Sequence, residues 1–129
     1  MKFTLATIHE AHKLYTGPEF PKLIRVFKAM GMVTNIYNLE SGVVFYQNKT
    51  GESLKEKVIE AHKVNIKSDY PAAFTALKRN QSGESDFPTF CKEVAAAGIC
   101  KWVSDLEKMT CTYYDKQENA VIEESIPSA

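Results

Sequence analysis

The chain of 129 residues is 44% hydrophobic and 25% charged, and its 16 basic side chains balance its 16 acidic ones. Such values are ordinary for a globular domain, and the lack of a basic excess argues against nucleic acid as a partner. No stretch approaches the roughly 20 apolar residues of a membrane span, and the first residues lack the apolar core of a signal peptide. The sequence therefore predicts a cytoplasmic protein that binds neither nucleic acid nor membrane.

The first predicted element is a helix over Thr4–Leu14, because apolar residues recur there on one side. It carries His9 and His12, and with Glu10 they resemble part of a zinc-protease motif, which requires two histidines at i and i+4. Here the histidines are three residues apart, and no third ligand is evident. We therefore predict a partly exposed helix face and no metal site.

A second helix and two strands follow. Pro21 stands in the first turn of this helix, whose apolar residues recur at helical spacing until Gly31, a residue type that ends helices in a left-handed conformation. Aromatic and β-branched residues then predict strands over Met32–Asn38 and Val43–Gln47. The short turn Leu39–Gly42 separates them. This segment is therefore predicted to be a helix followed by a β-hairpin.

The same segment recurs further along the chain. Residues 20–49 align without a gap on residues 87–116, and eight of the thirty pairs are identical, whereas about two are expected by chance. The second copy therefore predicts a helix from Phe87 and strands over Ile99–Asp105 and Thr110–Tyr114. The identical pairs are Phe20/Phe87, Pro21/Pro88, Ala29/Ala96, Gly31/Gly98, Leu39/Leu106, Glu40/Glu107, Tyr46/Tyr113 and Lys49/Lys116.

A further helix is predicted ahead of the second copy. Ser68–Asp69 can cap it, Pro71 lies in its first turn, and Phe74 and Leu77 are expected to face inward. The polar loop Asn80–Gly83 is predicted to follow it and has no matching Gln in the first copy. An unmatched polar loop in a duplicated chain is a place where function can diverge.

A third strand is predicted to close each half. Val121–Ile126 forms it in the second half, and Lys57–Glu60 resembles its opening in the first. This alignment would give the first half about four extra residues around Gly51–Lys55. An alternative stays open, since Ser53 can cap a helix over Leu54–His62.

Together these elements predict an α+β fold. An internal duplication of a helix–helix–β-hairpin unit, with a third strand in each unit, would place the helices on an antiparallel sheet around a pseudo-two-fold axis. The repeats span residues 3–66 and 68–127. Neither half is expected to be stable alone, so we predict a single domain over residues 1–129. One shared sheet and two packed layers are both compatible with this pattern.

The three cysteines form no C-x-x-C pair, and their odd number favours reduced, buried thiols. Cys100 and Trp102 are two residues apart on a predicted strand and therefore face the same way, as do Cys111 and Tyr113 on the next strand. The pattern is compatible with a thiol in an aromatic pocket or with plain core packing. A reactive thiol needs a nearby base or cation, and Lys101 points to the opposite face, so core packing is favoured.

Several segments resemble a known bacterial family. The segments NQSG, FPTFCKEVAAAG, GICKWVSDLEKMTCTYYD and VIEESIP, together with IHEAHKLYTGPEFPKLIRVFKAMG near the start, resemble the phage-envelope-like proteins, a domain family of unknown function. The resemblance is most specific between Trp102 and Tyr114. It implies a cytoplasmic, often prophage-associated protein without established catalytic residues. The loop of that family tends to read His-Gln-x-Gly, whereas Asn80 replaces the His here.

No catalytic residue and no cofactor is predicted, and the leading hypothesis is a non-enzymatic protein that binds an unknown protein or small molecule. The rival hypothesis is a small enzyme that uses the thiol of Cys100 or Cys111, or a histidine acid–base group, in a cleft between the repeats. A third hypothesis is a homodimer joined through an exposed strand edge. The candidate surface for a ligand or partner consists of His9, His12, Asn80, Gln81, Cys100, Trp102 and Tyr113.

Overall fold

The structure is a computed structural model that describes residues 2–15, 19–57 and 60–128. Within these residues the order helix, helix, strand, strand, strand occurs twice. The α+β prediction and the duplicated order are thereby confirmed. The elements are α1 (Leu5–Leu14), α2 (Phe20–Ala29), β1 (Met32–Asn38), β2 (Val43–Asn48), β3 (Ser53–Lys57), α3 (Tyr70–Gln81), α4 (Phe87–Ala96), β4 (Lys101–Asp105), β5 (Thr110–Tyr114) and β6 (Ala120–Ser125).

The N-terminal ends of α1 and α3 are capped alike, and the C-terminal ends of α2 and α4 are formed alike. Thr4 caps α1 by accepting a hydrogen bond from a backbone N–H three residues on, and Asp69 caps α3 in the same way. Gly31 and Gly98 follow α2 and α4 with φ angles of 85° and 90°, the left-handed region that glycine adopts most readily. The helix ends expected from these residues are therefore present.

The six described strands form a single antiparallel sheet in the order β3-β2-β1-β4-β5-β6. This settles the choice that the sequence left open. The two repeats meet where β1 pairs with β4. In this ladder Ile36 lies opposite Val103, its own equivalent 67 residues further along. Because equivalent residues face each other there, the pseudo-two-fold axis passes between them.

Among the described residues, burial alternates along the central strands and marks one covered face of the sheet. Asn35 and Tyr37 of β1, and Trp102 and Ser104 of β4, are all buried. Ile36, which points the other way, is only half-buried. The four helices therefore pack on one face, where the core lies, and leave the opposite face uncovered.

The prediction for the third strand of the first half was wrong in its position. The strand is β3, which begins at Ser53, whereas Glu60 lies outside any strand; Val58 and Ile59 lie outside the described residues. The alternative helix was also wrong. β3 corresponds to β6 with an offset of 68, because Leu54 and Ile122 occupy equivalent ladder positions. The second repeat therefore has one additional residue, and the first has no four-residue insertion.

A side-chain-stabilised turn explains why β3 starts so early. The Oδ1 atom of Asn48 accepts hydrogen bonds from the backbone N–H groups of Thr50 and Glu52, at 3.1 and 2.9 Å. Asp115, its equivalent 67 residues on, accepts from Gln117 and Asn119 in the same way, both at 2.9 Å. Each Asx-type turn reverses the chain within a few residues, so the third strand begins directly after it.

One inward-facing position on α3 was also predicted wrongly. Leu77 is buried as expected, but Phe74 is 39% exposed and stacks on Tyr70 with their ring centroids 5.9 Å apart. Ala73 and Ala76 take the buried positions instead. Small side chains allow α3 to approach α4 closely, and Phe74 is too large for that contact.

No helix within the described residues has the length and apolar character needed to cross a bilayer. The cytoplasmic location expected from the sequence stays a prediction.

Candidate functional site

A cavity of about 590 Å³ lies between the helices and the central strands, and residues of both repeats line it. It spans the pseudo-two-fold axis, because several lining residues come as equivalent pairs. These pairs are Phe20/Phe87, Leu23/Phe90, Asn35/Trp102 and Tyr37/Ser104, and also His12/Leu77, each of which lies eight residues past the N-cap of its helix. The duplicated architecture therefore creates the cavity at the junction of its two halves.

Aromatic rings form one wall of the cavity, with Trp102 at their centre. Tyr37 stacks on Trp102 at 5.0 Å between ring centroids and an interplanar angle of 17°. Phe90 and Tyr113 lie at 5.5 and 5.7 Å from it, and Phe87 stands edge-on at 6.1 Å. Such contacts stabilise the rings mutually, so the wall is preformed.

The Asn35 side chain supplies a polar group at the floor of the cavity. It is 2% exposed, and its Oδ1 atom has no hydrogen-bond partner among the described residues. Ser104 lies opposite on β4, but its hydroxyl group donates to the Cys111 sulfur at 3.7 Å. A buried polar atom without a partner costs free energy, so the Asn35 amide can bond to a molecule placed in the cavity.

Asn80 and Gln81 lie in the last turn of α3, and not in a loop after it as predicted. Both line the cavity. The Asn80 amide donates to the carbonyl oxygen of Ser85 at 3.2 Å, and the Gln81 amide donates to a Glu124 oxygen at 3.0 Å. These two bonds fix the end of α3 to the following loop and to β6. Their role in the described residues is to shape the mouth of the cavity.

Two carboxylates, Asp86 and Glu124, line the cavity, whereas no lysine or arginine of the described chain does. A hydrogen bond from Thr89 lowers the pKa of Asp86, so this group is ionised at neutral pH. Lys78 pairs with Glu124 at 3.2 Å from outside. The lining therefore disfavours anions and accepts neutral or basic molecules.

The two histidines of α1 do not act together. His12 lines the cavity and packs edge-on against Phe27, with centroids 5.5 Å apart. Burial, followed by the nearby His9, lowers its pKa, so its imidazole is neutral at neutral pH. His9 instead binds Glu56 through Nε2 at 2.8 and 2.9 Å. Nowhere in the described chain do three His, Cys, Asp or Glu side chains converge as metal ligands would.

Only one of the two candidate thiols lies at the cavity. Cys111 lines it beside Tyr113, as the shared strand face predicted. Cys100 does not: it precedes β4, and its thiol donates to Glu40 Oε1 at 3.0 Å. Burial raises the pKa of both thiols to about 11, so both are protonated at neutral pH. A protonated thiol is a poor nucleophile.

Of the candidate surface predicted from the sequence, five residues line the cavity: His12, Asn80, Gln81, Trp102 and Tyr113. His9 and Cys100 are not among the described lining residues, and Asn35 was not a candidate. Asn35 was classed only as part of a strand. The available signal was the position of Asn35 in the strand, two residues before the inward-facing Tyr37. Because strand residues two apart share a face, that spacing already places the amide in the core.

The sequence model of a family described as "Protein of unknown function (DUF1398)" matches residues 7–125. The chain belongs to this family. Uncharacterised proteins of two Mycobacterium tuberculosis strains and of Mycobacterium bovis are each 30% identical to it over 106 residues. The match covers 81% of this chain and 65% of each mycobacterial protein, so the chain spans slightly less than two thirds of their length.

Membership of the DUF1398 family agrees with the resemblance to a family of unknown function. The family description and the names of the mycobacterial relatives do not mention a phage. The phage-envelope association and the prophage origin therefore stay predictions.

Proposed function

We propose that this DUF1398 protein is a non-enzymatic binding protein whose ligand is a small, flat, neutral or weakly basic molecule. The observation that carries the proposal is the cavity of about 590 Å³ at the repeat junction, with an aromatic wall and an uncommitted Asn35 amide. Ligand pockets are typically of about 300–1,000 Å³, mostly apolar, with a few placed polar groups. The cavity fits each part of that description.

Shape and polarity together define the class of ligand. The stacked rings of Tyr37 and Trp102 favour a planar apolar body, because π faces stack in offset geometry. The Oδ1 atom of Asn35 favours an N–H or O–H donor on that body. The carboxylates at the lining, with no lysine or arginine among the described lining residues, disfavour a negative charge.

The single tryptophan of the chain makes this testable, since Trp102 lines the cavity. The probe is 7-amino-4-methylcoumarin, a flat neutral molecule with an amino donor that absorbs tryptophan emission. Titration into the wild-type protein is expected to give saturable energy transfer from Trp102. Coumarin-3-carboxylate, a flat anion, is expected to bind at least tenfold more weakly, roughly the effect of one unfavourable charge–charge contact.

Two variants locate the bound probe. Asn35→Leu keeps the side-chain shape and is expected to weaken binding roughly tenfold, because one hydrogen bond is lost. Gln117→Leu removes an amide at the exposed β5–β6 turn and serves as the control. Absence of saturable transfer, or equal binding by both variants, would contradict the proposal.

The rival hypothesis of an enzyme rests on His12 and Cys111, which line the cavity. A neutral imidazole can act as a base, but the raised pKa of Cys111 does not suit a thiolate nucleophile. Labelling of the native protein with iodoacetamide separates the two hypotheses. One fast-reacting thiol would favour the enzyme, whereas three slow thiols favour the binding protein.

A further inference from the structure

On the uncovered face of the sheet, a row of ladder-paired residues crosses the six described strands, and three adjacent members of this row are apolar. Ladder pairs run from Phe45 on β2 to Ile36 on β1 and Val103 on β4. The row continues to Thr112 on β5, and these side chains stand away from the helices. Ile36, Phe45 and Val103 are half-buried only by their neighbours in the sheet. Polar residues border this patch on the same face: Lys101 pairs with Glu118, and Asp105 accepts hydrogen bonds from the backbone of the β4–β5 turn. An exposed apolar patch with a polar rim is typical of an interaction surface.

The two ends of this row carry opposite charges. Lys55 on β3 pairs with Phe45, and Glu123 on β6 pairs with Thr112. Lys55 and Glu123 occupy equivalent positions in the two repeats, offset by 68 residues. Both side chains are exposed. This row is thus apolar in its middle, positive at one end and negative at the other.

We propose that this face binds a second copy of the chain, sheet against sheet. A two-fold axis parallel to the strands would reverse the row, so that Lys55 of each copy lies over Glu123 of the other. A two-fold axis across the strands would instead place Lys55 of one copy over Lys55 of the other. Charge complementarity therefore selects the first arrangement. Ile36 of each copy then lies over Val103 of the other, and Phe45 lies over Thr112.

The same charges oppose the strand-edge dimer expected from the sequence. β3 exposes Lys55 and Lys57 at one edge of the sheet, and Glu123 lies at the other. Charged edge strands are a device that hinders edge-to-edge pairing. Packing of sheet faces, by contrast, covers apolar side chains at a spacing of about 10 Å. The open face and not the edge is the self-complementary surface.

Sedimentation equilibrium of the full chain tests the proposal. At about 100 μM chain the wild-type protein is expected to sediment at twice its 14.5 kDa mass. Phe45→Lys places a charge in the apolar part of the row and is expected to give the monomer mass. Ile66→Lys alters a residue that is 73% exposed and belongs to no strand, and it is expected to leave the dimer intact. A monomeric wild-type protein would overturn the proposal.

Charge exchange tests the orientation. Lys55→Glu and Glu123→Lys, each alone, are expected to raise the dimer dissociation constant on the order of tenfold, because each creates two like-charge contacts. The double variant restores both contacts in reverse and is expected to return to the wild-type constant. Failure of the double variant to recover would overturn the arrangement. Circular dichroism of each variant checks that the fold is retained.

Discussion

Asn35 and Ser104 lie directly opposite each other at the centre of the sheet, both only 2% exposed, yet they do not hydrogen-bond to each other. The Ser104 hydroxyl group donates to Cys111 instead. The Asn35 Oδ1 atom is therefore left without a partner among the described residues. Buried amides are nearly always satisfied in folded proteins, so this unpaired oxygen carries a free-energy cost in the unliganded protein.

Replacement of Asn35 by leucine is expected to stabilise the unliganded protein. The change removes an unsatisfied buried polar group, whose cost is about 1–3 kcal/mol, and keeps a similar shape. Urea denaturation should show a higher midpoint with an unchanged slope. Gln117→Leu, at the exposed turn, is the matched control. A lower midpoint for Asn35→Leu would show that the amide is already satisfied in the apo protein.

Alanine at the two helix-ending glycines is expected to have unequal effects. Both have positive φ angles, so each change costs about 1–2 kcal/mol of backbone strain. A Cβ atom at Gly98 would also approach the Lys67 carbonyl oxygen to 2.6 Å, whereas at Gly31 the nearest atom is 3.8 Å away on the flexible Lys49 side chain. Gly98→Ala should therefore be destabilising by roughly 1–3 kcal/mol more. If Gly31→Ala and Gly98→Ala had equal unfolding free energies, the close packing of Gly98 against Lys67 and Ser68 would be contradicted.

Loss of the Glu40 carboxylate is expected to speed the alkylation of Cys100. Burial raises the pKa of this thiol most, and the hydrogen bond and charge of Glu40 raise it further. Glu40→Gln removes the negative charge beside the thiol and so lowers the pKa of Cys100, although burial still keeps that pKa above its ordinary value. Iodoacetamide labelling followed by peptide mass spectrometry should show a several-fold faster reaction of Cys100. Glu107→Gln alters the equivalent residue of the other repeat and serves as the control. If Cys100 reacted equally fast in this variant, a direct effect of Glu40 on Cys100 would be contradicted.

Replacement of His12 by leucine is expected to reduce the acid sensitivity of the fold. Burial lowers the pKa of His12 below its ordinary value of 6.5, so the unfolded chain takes up this proton more readily than the folded one. Stability is therefore lost as the pH falls through about 6.5. Leu77 occupies the corresponding position of α3, eight residues past its N-cap as His12 is in α1, so leucine should be accommodated.

Urea denaturation from about pH 8 to about pH 5 provides the measurement. The wild-type protein should lose more stability over this range than His12→Leu does. The measurements near pH 8, where the imidazole is neutral in both states, serve as the reference. Parallel curves would mean that His12 titrates alike in the folded and unfolded chains.

The sequence predicted the elements whose signals are local. Pro21 and Gly31, with their repeats, marked helix ends because they act through their own backbone angles. The ungapped alignment of residues 20–49 on 87–116 then predicted two copies of one unit, and the ladder between Ile36 and Val103 agrees with it. The prediction that both repeats form one domain stays a prediction.

The features that depend on contacts distant in sequence were not predictable in the same way. The start of β3 is an exception, because it follows from a local signal that was missed: the Asn48 side chain bonds to backbone N–H groups two and four residues on. Phe74 fits a helical stripe but is displaced by the close approach of α3 to α4. The cavity arises where two half-sites meet, so no single segment encodes it. The sequence pointed to residues of the cavity only where a histidine, a polar loop or a cluster of strand aromatics stood out.

The position of the cavity on the pseudo-two-fold axis has a consequence for how a guest molecule is oriented. A flat molecule could enter in two poses related by a half-turn, and Phe20 and Phe87 would treat both poses alike. Asn35 breaks this degeneracy, because its counterpart is Trp102. A guest of the proposed kind would therefore direct its N–H or O–H donor to the Asn35 Oδ1 atom, on the strand of the first repeat. The difference between the two halves at this one pair would distinguish the head of such a molecule from its tail.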